Sequence, residues 1–199
     1  MFNQVTIIGC GLIGSSIFRG LKKIGSIKKI ITYDKDNIVT EIIKKDELSD
    51  EIFTSAGEAV KNSDLVIIAT PISSFESVLN SIKDNLKTGS ILTDTCSVKT
   101  GVGKILEKIN LKNSICIPGH PVAGTENSGP KAGTSDLFKN RWTILTPKKN
   151  IDEKAIKEVS NFWESMGSKV KIMSDVDHDK ILSFTSHLPH AIAYNIVQT

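Results

Sequence analysis

The chain has 199 residues, and a content of 39% hydrophobic and 24% charged residues is too apolar for disorder and too mixed for low complexity. Its 25 Lys and Arg residues against 22 Asp and Glu residues give a net charge of +3 that is spread along the sequence, which argues against nucleic acid as a partner. No run of about 18 apolar residues is present, so the sequence excludes a transmembrane helix and predicts no membrane partner. No signal-peptide pattern is present and the odd cysteine count includes no CxxC pair, so we expect a cytoplasmic protein with reduced thiols at Cys10, Cys96 and Cys116.

Short apolar runs rich in Ile and Val alternate with helical patterns along the chain. The predicted strands are 5–8, 29–33, 65–69, 90–93, 114–117, 142–145 and 169–172. Several of them have adjacent apolar residues without alternation, which is typical of strands covered on both faces. Helical spacing of apolar residues separates them, first at Ile13, Ile17, Leu21 and Ile24 and later at Phe75, Val78, Leu79 and Ile82. This order predicts an α/β fold with a doubly wound, mostly parallel sheet.

Two segments break the alternation. Residues 118–140 contain four glycines and three prolines, and so long an irregular stretch in a compact domain is usually functional or disordered. Residues 174–199 carry apolar side chains at the spacing of a long helix, and we expect the chain to end inside this element. The predicted domains are therefore 1–173 and the first helix of a second, helical domain over 174–199.

A glycine turn directly follows the first predicted strand and opens the first helix. Gly9, Gly11 and Gly14 form a GxGxxG pattern, with Leu12 and Ile13 between the last two glycines. The first glycine permits a tight turn, the second lets the backbone approach a pyrophosphate, and the third lets helix and strand pack closely. The helix N-terminus adds free N–H donors, so the turn predicts a dinucleotide site. A glycine turn that serves packing alone is the alternative.

Asp34 directly follows the second predicted strand, 20 residues after Gly14. A carboxylate there would accept a hydrogen bond from the ribose 2′-hydroxyl and repel a 2′-phosphate, which predicts NAD rather than NADP. Thr70 and Pro71 follow the third predicted strand, where we expect them to border the adenosine side of the cofactor. As alternatives, Asp34 is a solvated turn residue, and Thr70 and Pro71 only lead into a helix.

Two further segments come just after predicted strands and carry groups suited to proton transfer. Ser97 lies in the segment 94–99, and His120 stands between a glycine and a proline at the start of the irregular stretch. Oxidation of an alcohol needs a base for the hydroxyl proton, and neutral imidazole suits that role near pH 7. We therefore predict His120 as the catalytic base and Ser97 as a hydroxyl donor that orients the substrate or the imidazole.

Four motifs occur in order: GxGLIGxS at 9–16, DxxSVK at 94–99, GHPVAG at 119–124 and SHLPH at 186–190. Together they resemble prephenate dehydrogenase over nearly the whole chain. The resemblance implies a Rossmann-like domain followed by a helical dimerisation domain, and hence a homodimer. The implied activity is NAD-dependent oxidative decarboxylation of prephenate to 4-hydroxyphenylpyruvate in tyrosine biosynthesis.

The resemblance also assigns roles to individual residues. His120 would accept the proton of the ring C4 hydroxyl as hydride leaves C4 for NAD, and loss of carbon dioxide would then aromatise the ring. Ser97 would hydrogen-bond His120, the hydroxyl or the nicotinamide. His187 and His190 would lie on the substrate side. The family binds one prephenate carboxylate with an arginine of the helical domain, a role that neither Arg19 nor Arg141 matches.

Other interpretations stay open at this point. An arogenate or broad cyclohexadienyl dehydrogenase would share these motifs, and a non-catalytic NAD-sensing module would share the fold, although it would not need a base. His187 and His190 share a helix face, but Pro189 between them and the lack of a third ligand with suitable spacing lead us to predict no metal site.

Overall fold

The larger of two β-sheets carries the predicted doubly wound core. The structure is a computed structural model that describes residues 2–109, 111 and 114–197. The strands of this sheet are β1 (Gln4–Ile8), β2 (Lys29–Tyr33), β3 (Glu51–Ile52), β4 (Leu65–Ile68), β5 (Ile91–Asp94) and β6 (Ile115–Cys116). All pairings are parallel in the order β3-β2-β1-β4-β5-β6, so the strand order reverses between β1 and β4.

Helices cover both faces of this sheet. The helices packed on it are α1 (Leu12–Ile24), α2 (Asn37–Lys45), α3 (Ala56–Val60), α4 (Ile72–Ile82), α5 (Lys99–Lys108) and α6 (Glu153–Ser165). Two further helices, α7 (Asp175–Leu182) and α8 (Leu188–Val197), follow later in the chain. Buried side chains of α1, α2 and α6 pack into one apolar cluster, and those of α3, α4 and α5 pack into another. Successive residues of β1 serve both clusters, since Ile7 joins the first and Ile8 the second. The predicted α/β fold with a doubly wound parallel sheet is confirmed.

The last two predicted strands belong to a second, smaller sheet. They are β8 (Trp142–Leu145) and β9 (Lys169–Ile172), and β7 (Gly119–Pro121) pairs antiparallel with β8. The sequence did not predict β7, because glycine and proline are depleted in strands. It also missed β3, which has only two residues. The consequence for the site is that His120 lies on a strand and not in an irregular loop.

The rest of the glycine- and proline-rich stretch is folded against α1. A Cβ atom on Gly133 would lie 2.1 Å from the Ser15 hydroxyl oxygen, so only glycine fits this approach. The N–H of Thr134 donates to the Ser16 hydroxyl at 3.1 Å. Phe138 is fully buried and meets Trp163 edge to face, with 5.3 Å between ring centroids. The later part of this stretch, from Gly133 to Phe138, therefore packs against the core.

The predicted C-terminal helix is divided into two. A π-helical turn, Ser183–His187, separates α7 from α8. Pro189 lies just beyond this turn and has no N–H to donate to the preceding turn of helix, which accounts for the irregularity. Large apolar side chains near and beyond the turn are exposed: Ile181, Phe184, Leu188, Ile192 and Ile196. The domain boundary at 173 stays a prediction.

A buried ion pair joins the two sheets. Lys99 at the start of α5 is fully buried, and its Nζ lies 2.5 Å from Oδ2 of Asp94 at the end of β5. The same Nζ donates to the carbonyl oxygen of Gly119 at 2.6 Å. The N–H of Gly119 in turn donates to Oδ1 of Asp94 at 3.2 Å. These bonds fix β7 against the carboxyl end of β5.

We predict that Lys99→Met destabilises the fold by about 3–5 kcal/mol, because it leaves the Asp94 carboxylate buried without its partner. The matched control is Lys87→Met, which removes a surface pair with Asp64 in which the Lys87 side chain is 48% exposed. Surface pairs contribute at most about 1 kcal/mol. Urea unfolding measures both changes, and equal losses for the two variants would contradict the role given to Lys99.

Candidate active site

The glycine turn between β1 and α1 is shaped by close backbone packing and leaves one open position. Gly9 has a φ of +91°, and a Cβ atom there would lie 2.7 Å from the carbonyl oxygen of Ala69. A Cβ on Gly14 would lie 2.0 Å from the carbonyl oxygen of Gly9. Nothing lies within 4 Å of the corresponding position on Gly11. Packing requires the first and third glycines, whereas the second borders space that a ligand can enter.

A cavity of about 410 Å³ opens in front of this turn, where the strand order reverses between β1 and β4. Five residues predicted to bind the cofactor line it: Gly9, Gly11, Asp34, Thr70 and Pro71. Leu12 and Ile13 begin α1 beside it and are half-buried. No side chain caps the N-terminus of α1 at Gly11, so its first N–H groups are free to bind an anion.

Asp34 is held in place at the rim of this cavity. Its Oδ2 accepts from the N–H of Cys10 in the glycine turn at 2.7 Å, and its Oδ1 accepts from the N–H of Asp36 at 2.9 Å. The Thr70 hydroxyl is buried and has no hydrogen-bond partner among the described residues. These features fit a dinucleotide with free ribose hydroxyls. There is open space at Gly11, the Asp34 carboxylate is fixed by two N–H groups, and the Thr70 hydroxyl lacks a partner among the described residues.

His120 lies on β7 with only 8% of its surface exposed, next to the end of β5. Its Nδ1 is 2.8 Å from Nε2 of His178, which is fully buried on α7. Sequence reasoning missed His178, because it lies 58 residues from His120 in an acidic helix that carries no strand or glycine signal. Ser97 is exposed in the loop before α5, and its side chain bonds no described residue. The structure thus gives His120 a histidine as its partner.

Asp179 continues the chain of contacts behind His178. Its Oδ1 lies 2.7 Å from Nδ1 of His178. The carboxylate also accepts from the N–H groups of Lys99 at 2.8 Å and Thr100 at 2.9 Å, and from the Thr100 hydroxyl. Burial alone would raise the pKa of Asp179, but these bonds at the N-terminus of α5 hold that pKa well below its ordinary value. Asp179 is therefore a permanent negative charge beside His178.

His120 is neutral at physiological pH. Burial lowers its pKa from the ordinary 6.5 to about 3. The charge of Lys99, and any positive charge on His178 or His187, acts in the same direction, against the opposing effect of Asp179. A neutral imidazole has a lone pair with which to accept a proton. The site can therefore supply a base at the carboxyl edge of the main sheet, the edge that also borders the nucleotide cavity.

The two other histidines singled out in the sequence, and the two arginines, lie in different parts of the structure. His187 is half-buried in the π-helical turn, close enough for its charge to affect His120. His190 lies on α8, but its side chain is outside the described residues. Arg19 pairs with Asp46 at 2.7 Å, and Arg141 is exposed just before β8.

The cysteines near the cavity are free and buried. Burial raises the pKa of Cys10 and of Cys96 to about 12. Both are therefore protonated and unreactive near pH 7, as expected for residues that fill space.

None of the helices in the described ranges is long and apolar enough to cross a membrane.

Comparison with known proteins matches this architecture to one family. The profile described as prephenate dehydrogenase, nucleotide-binding domain, matches residues 17–172. The chain is 39% identical to the cyclohexadienyl dehydrogenase of Zymomonas mobilis over 197 residues, which covers 99% of this chain and 67% of that protein. It is 30% identical to the prephenate dehydrogenase of Bacillus subtilis over 198 residues, 99% of this chain and 53% of that protein.

A solved structure gives the same result. The prephenate dehydrogenase of Aquifex aeolicus, in complex with hydroxyphenyl propionate and NAD⁺, superposes with a TM-score of 0.88 at 31% identity, covering 100% of this chain and 69% of that one. The chain thus spans between about half and two thirds of the length of these relatives. It belongs to the prephenate dehydrogenase family, and most of it forms the nucleotide-binding domain of that family.

Proposed function

We propose that the protein catalyses the NAD-dependent oxidative decarboxylation of prephenate to 4-hydroxyphenylpyruvate, a step of tyrosine biosynthesis. The observation that carries the proposal is His120, a neutral, buried base fixed at the same sheet edge as a dinucleotide cavity in a chain of this family. Relatives named prephenate dehydrogenase support the substrate. The A. aeolicus complex supports NAD as cofactor.

Different residues bind different parts of the dinucleotide. Gly9, Gly11 and Gly14, with Leu12 and Ile13, present the N-terminus of α1 to the pyrophosphate. Asp34 accepts from the ribose hydroxyl and disfavours a 2′-phosphate. Thr70 and Pro71 border the adenosine side, where the buried Thr70 hydroxyl gains a partner. NAD, when bound, supplies the hydride acceptor for the reaction.

His120 performs the proton transfer. Its free ring nitrogen takes the proton of the C4 hydroxyl, so that the O–H bond breaks as the C4–H bond gives up its hydride. The C1–carboxylate bond then breaks, carbon dioxide leaves, and the electron pair of that bond makes the ring aromatic as a phenolate. The phenolate oxygen takes back a proton to give 4-hydroxyphenylpyruvate, which returns His120 to its neutral state. Ser97 donates a hydrogen bond that orients the reacting hydroxyl. The family resemblance assigns His187 and His190 to substrate binding.

A cyclohexadienyl dehydrogenase that also accepts arogenate is the second candidate. The Zymomonas mobilis relative of that name is 39% identical to this chain in an alignment that covers 99% of it, which favours a broader substrate range. Arogenate differs from prephenate by an amine on the side chain, which is remote from the C4 hydroxyl that His120 serves. A sensing module that binds NAD without catalysis has no use for such a base.

The substrate carboxylate and the dimer belong to the helical domain that residues 174–199 begin. The side chains of Phe184, Leu188 and Ile192 are exposed, and we propose that a second copy of the chain covers them in a homodimer. The family resemblance implies that the arginine for the carboxylate comes from the same domain; in this structure Arg19 pairs with Asp46, and Arg141 is exposed just before β8. The enzyme works in the cytoplasm.

The direct test follows the near-ultraviolet absorbance of NADH with NAD and either prephenate or arogenate. Prephenate-dependent NADH formation with 4-hydroxyphenylpyruvate as product is expected. Comparable rates with arogenate would instead assign the broader cyclohexadienyl activity. Tight NAD binding without turnover of either substrate by the full-length protein would contradict both and indicate a sensor.

NAD is expected to bind more tightly than NADP, because the fixed Asp34 carboxylate opposes a 2′-phosphate. Asp34→Asn should weaken NAD binding by about 10- to 150-fold, since a hydrogen bond to a charged group contributes about 1.5–3 kcal/mol. It should also narrow the preference for NAD over NADP. Asp36→Asn is the matched control, because it removes a charge two residues away on an exposed helix cap. Calorimetric titration measures both cofactors; equal affinity of the unaltered protein for NAD and NADP would refute the assignment.

His120→Asn should lower kcat by about 10²–10⁴-fold, the range of general base catalysis, with little change in NAD affinity. Ser97→Ala should lower kcat about 10-fold, because it removes one positioning hydrogen bond of about 0.5–1.5 kcal/mol.

A base acts only when it is unprotonated, and the pKa of His120 is about 3 instead of 6.5. The kcat/KM profile of the unaltered enzyme should therefore show no His120 limb near 6.5 and should decline only toward pH 3. Near-normal turnover by His120→Asn would make His120 structural.

A further inference from the structure

A line of three side chains runs from the N-terminus of α5 to the reacting edge of the sheet. Asp179 lies 2.7 Å from Nδ1 of His178, and Nε2 of His178 lies 2.8 Å from Nδ1 of His120. His178 is fully buried, and its two ring nitrogens are both engaged by these neighbours. Neither His178 nor Asp179 has a part in the proton transfer described above.

The hydrogen-bond pattern assigns the proton on each ring. The Asp179 carboxylate can only accept, because its pKa is held well below the ordinary value, so Nδ1 of His178 carries a hydrogen. Nε2 of a neutral His178 is then an acceptor, and Nδ1 of His120 must donate to it. Nε2 of His120 is left with its lone pair. The contacts thus select one of two neutral tautomers, the one with Nε2 available as a base.

The charges around the two rings differ in one respect. Lys99 on α5 and His187 in the π-helical turn act on both imidazoles and disfavour a positive charge on either. Asp94 on β5 faces Lys99 and forms an ion pair with it. Asp179 contacts His178 directly and reaches His120 only across that ring. A positive charge is therefore better stabilised on His178 than on His120.

We propose that His178, held by Asp179, is a positioning residue that fixes the His120 tautomer and takes up the Nδ1 proton of His120 during turnover. This inference rests on the proposed function for its catalytic consequence. As the substrate proton bonds to Nε2 of His120, the N–H bond at Nδ1 of His120 breaks and an N–H bond forms at Nε2 of His178. One proton enters the pair, and the positive charge comes to lie beside Asp179.

The tautomer can be read without any activity. The chain has 4 histidines, so long-range ¹H–¹⁵N correlation spectra of ¹⁵N-histidine-labelled protein are assignable by single substitutions. We expect neutral His120 with a protonated Nδ1 and an unprotonated Nε2 at and below pH 6.5, the ordinary pKa of histidine. A spectrum of unaltered protein with the hydrogen on Nε2 of His120 would overturn the proposal.

Substitutions at His178 separate its two roles. In His178→Gln the amide oxygen can still accept from Nδ1 of His120 but cannot take its proton, so the tautomer should persist while kcat falls about tenfold. In His178→Leu the tautomer should shift toward Nε2–H, and kcat should fall by about 10² or more, as for loss of the base itself. KM should be unchanged in both, because His178 is buried behind His120. Asp177→Asn, on the exposed side of α7, is the matched control and should be silent.

The outcomes are distinguishable. If the unaltered enzyme fails to oxidise prephenate, the proposed function falls while the tautomer measurement still decides the structural part. If His178→Leu folds with an unchanged tautomer, or if His178→Gln keeps full kcat, the role of His178 is refuted even when prephenate is oxidised. If His178→Leu does not fold, the glutamine variant and the spectrum of the unaltered protein decide.

Discussion

The geometry of the site depends on Lys99, whose burial would be costly without full compensation. Its ammonium group pairs with Asp94 and donates to the Gly119 carbonyl, which fixes the strand that carries His120. Its backbone N–H donates to Asp179, which fixes the helix that carries His178. One residue at the start of α5 therefore sets the positions of both imidazoles relative to the main sheet.

The same arrangement explains how a base and a buried cation coexist. Burial, and after it the positive charge of Lys99, lowers the pKa of His120 and keeps His120 neutral, while the ion pair with Asp94 compensates the buried charge of Lys99. The N-terminus of α5 stabilises the Asp179 carboxylate, so a negative charge lies on the far side of His178. The Asp179 carboxylate thus lies at the end of the line farthest from the reacting nitrogen, and proton transfer moves a positive charge toward it.

Much of the fold followed from local sequence signals, and the contacts that define the site did not. Periodicity and the glycine turn predicted the doubly wound sheet and the cavity residues, because these depend on neighbours within one strand–turn–helix unit. The strand at His120 was missed, since glycine and proline masked its pairing with β8. His178 was missed because its role depends on a helix that folds back over 58 residues. No pattern in one sequence reports such a contact.

The central claim is that C4 of the substrate loses a hydride to NAD at this sheet edge while His120 accepts the hydroxyl proton. Prephenate carrying deuterium at C4 tests it most directly when the label is followed by mass spectrometry in the reduced cofactor. The account predicts that the deuterium is recovered in the reduced NAD and that labelling slows turnover. Reduced NAD without deuterium, or consumption of prephenate with no reduction of NAD, would contradict it.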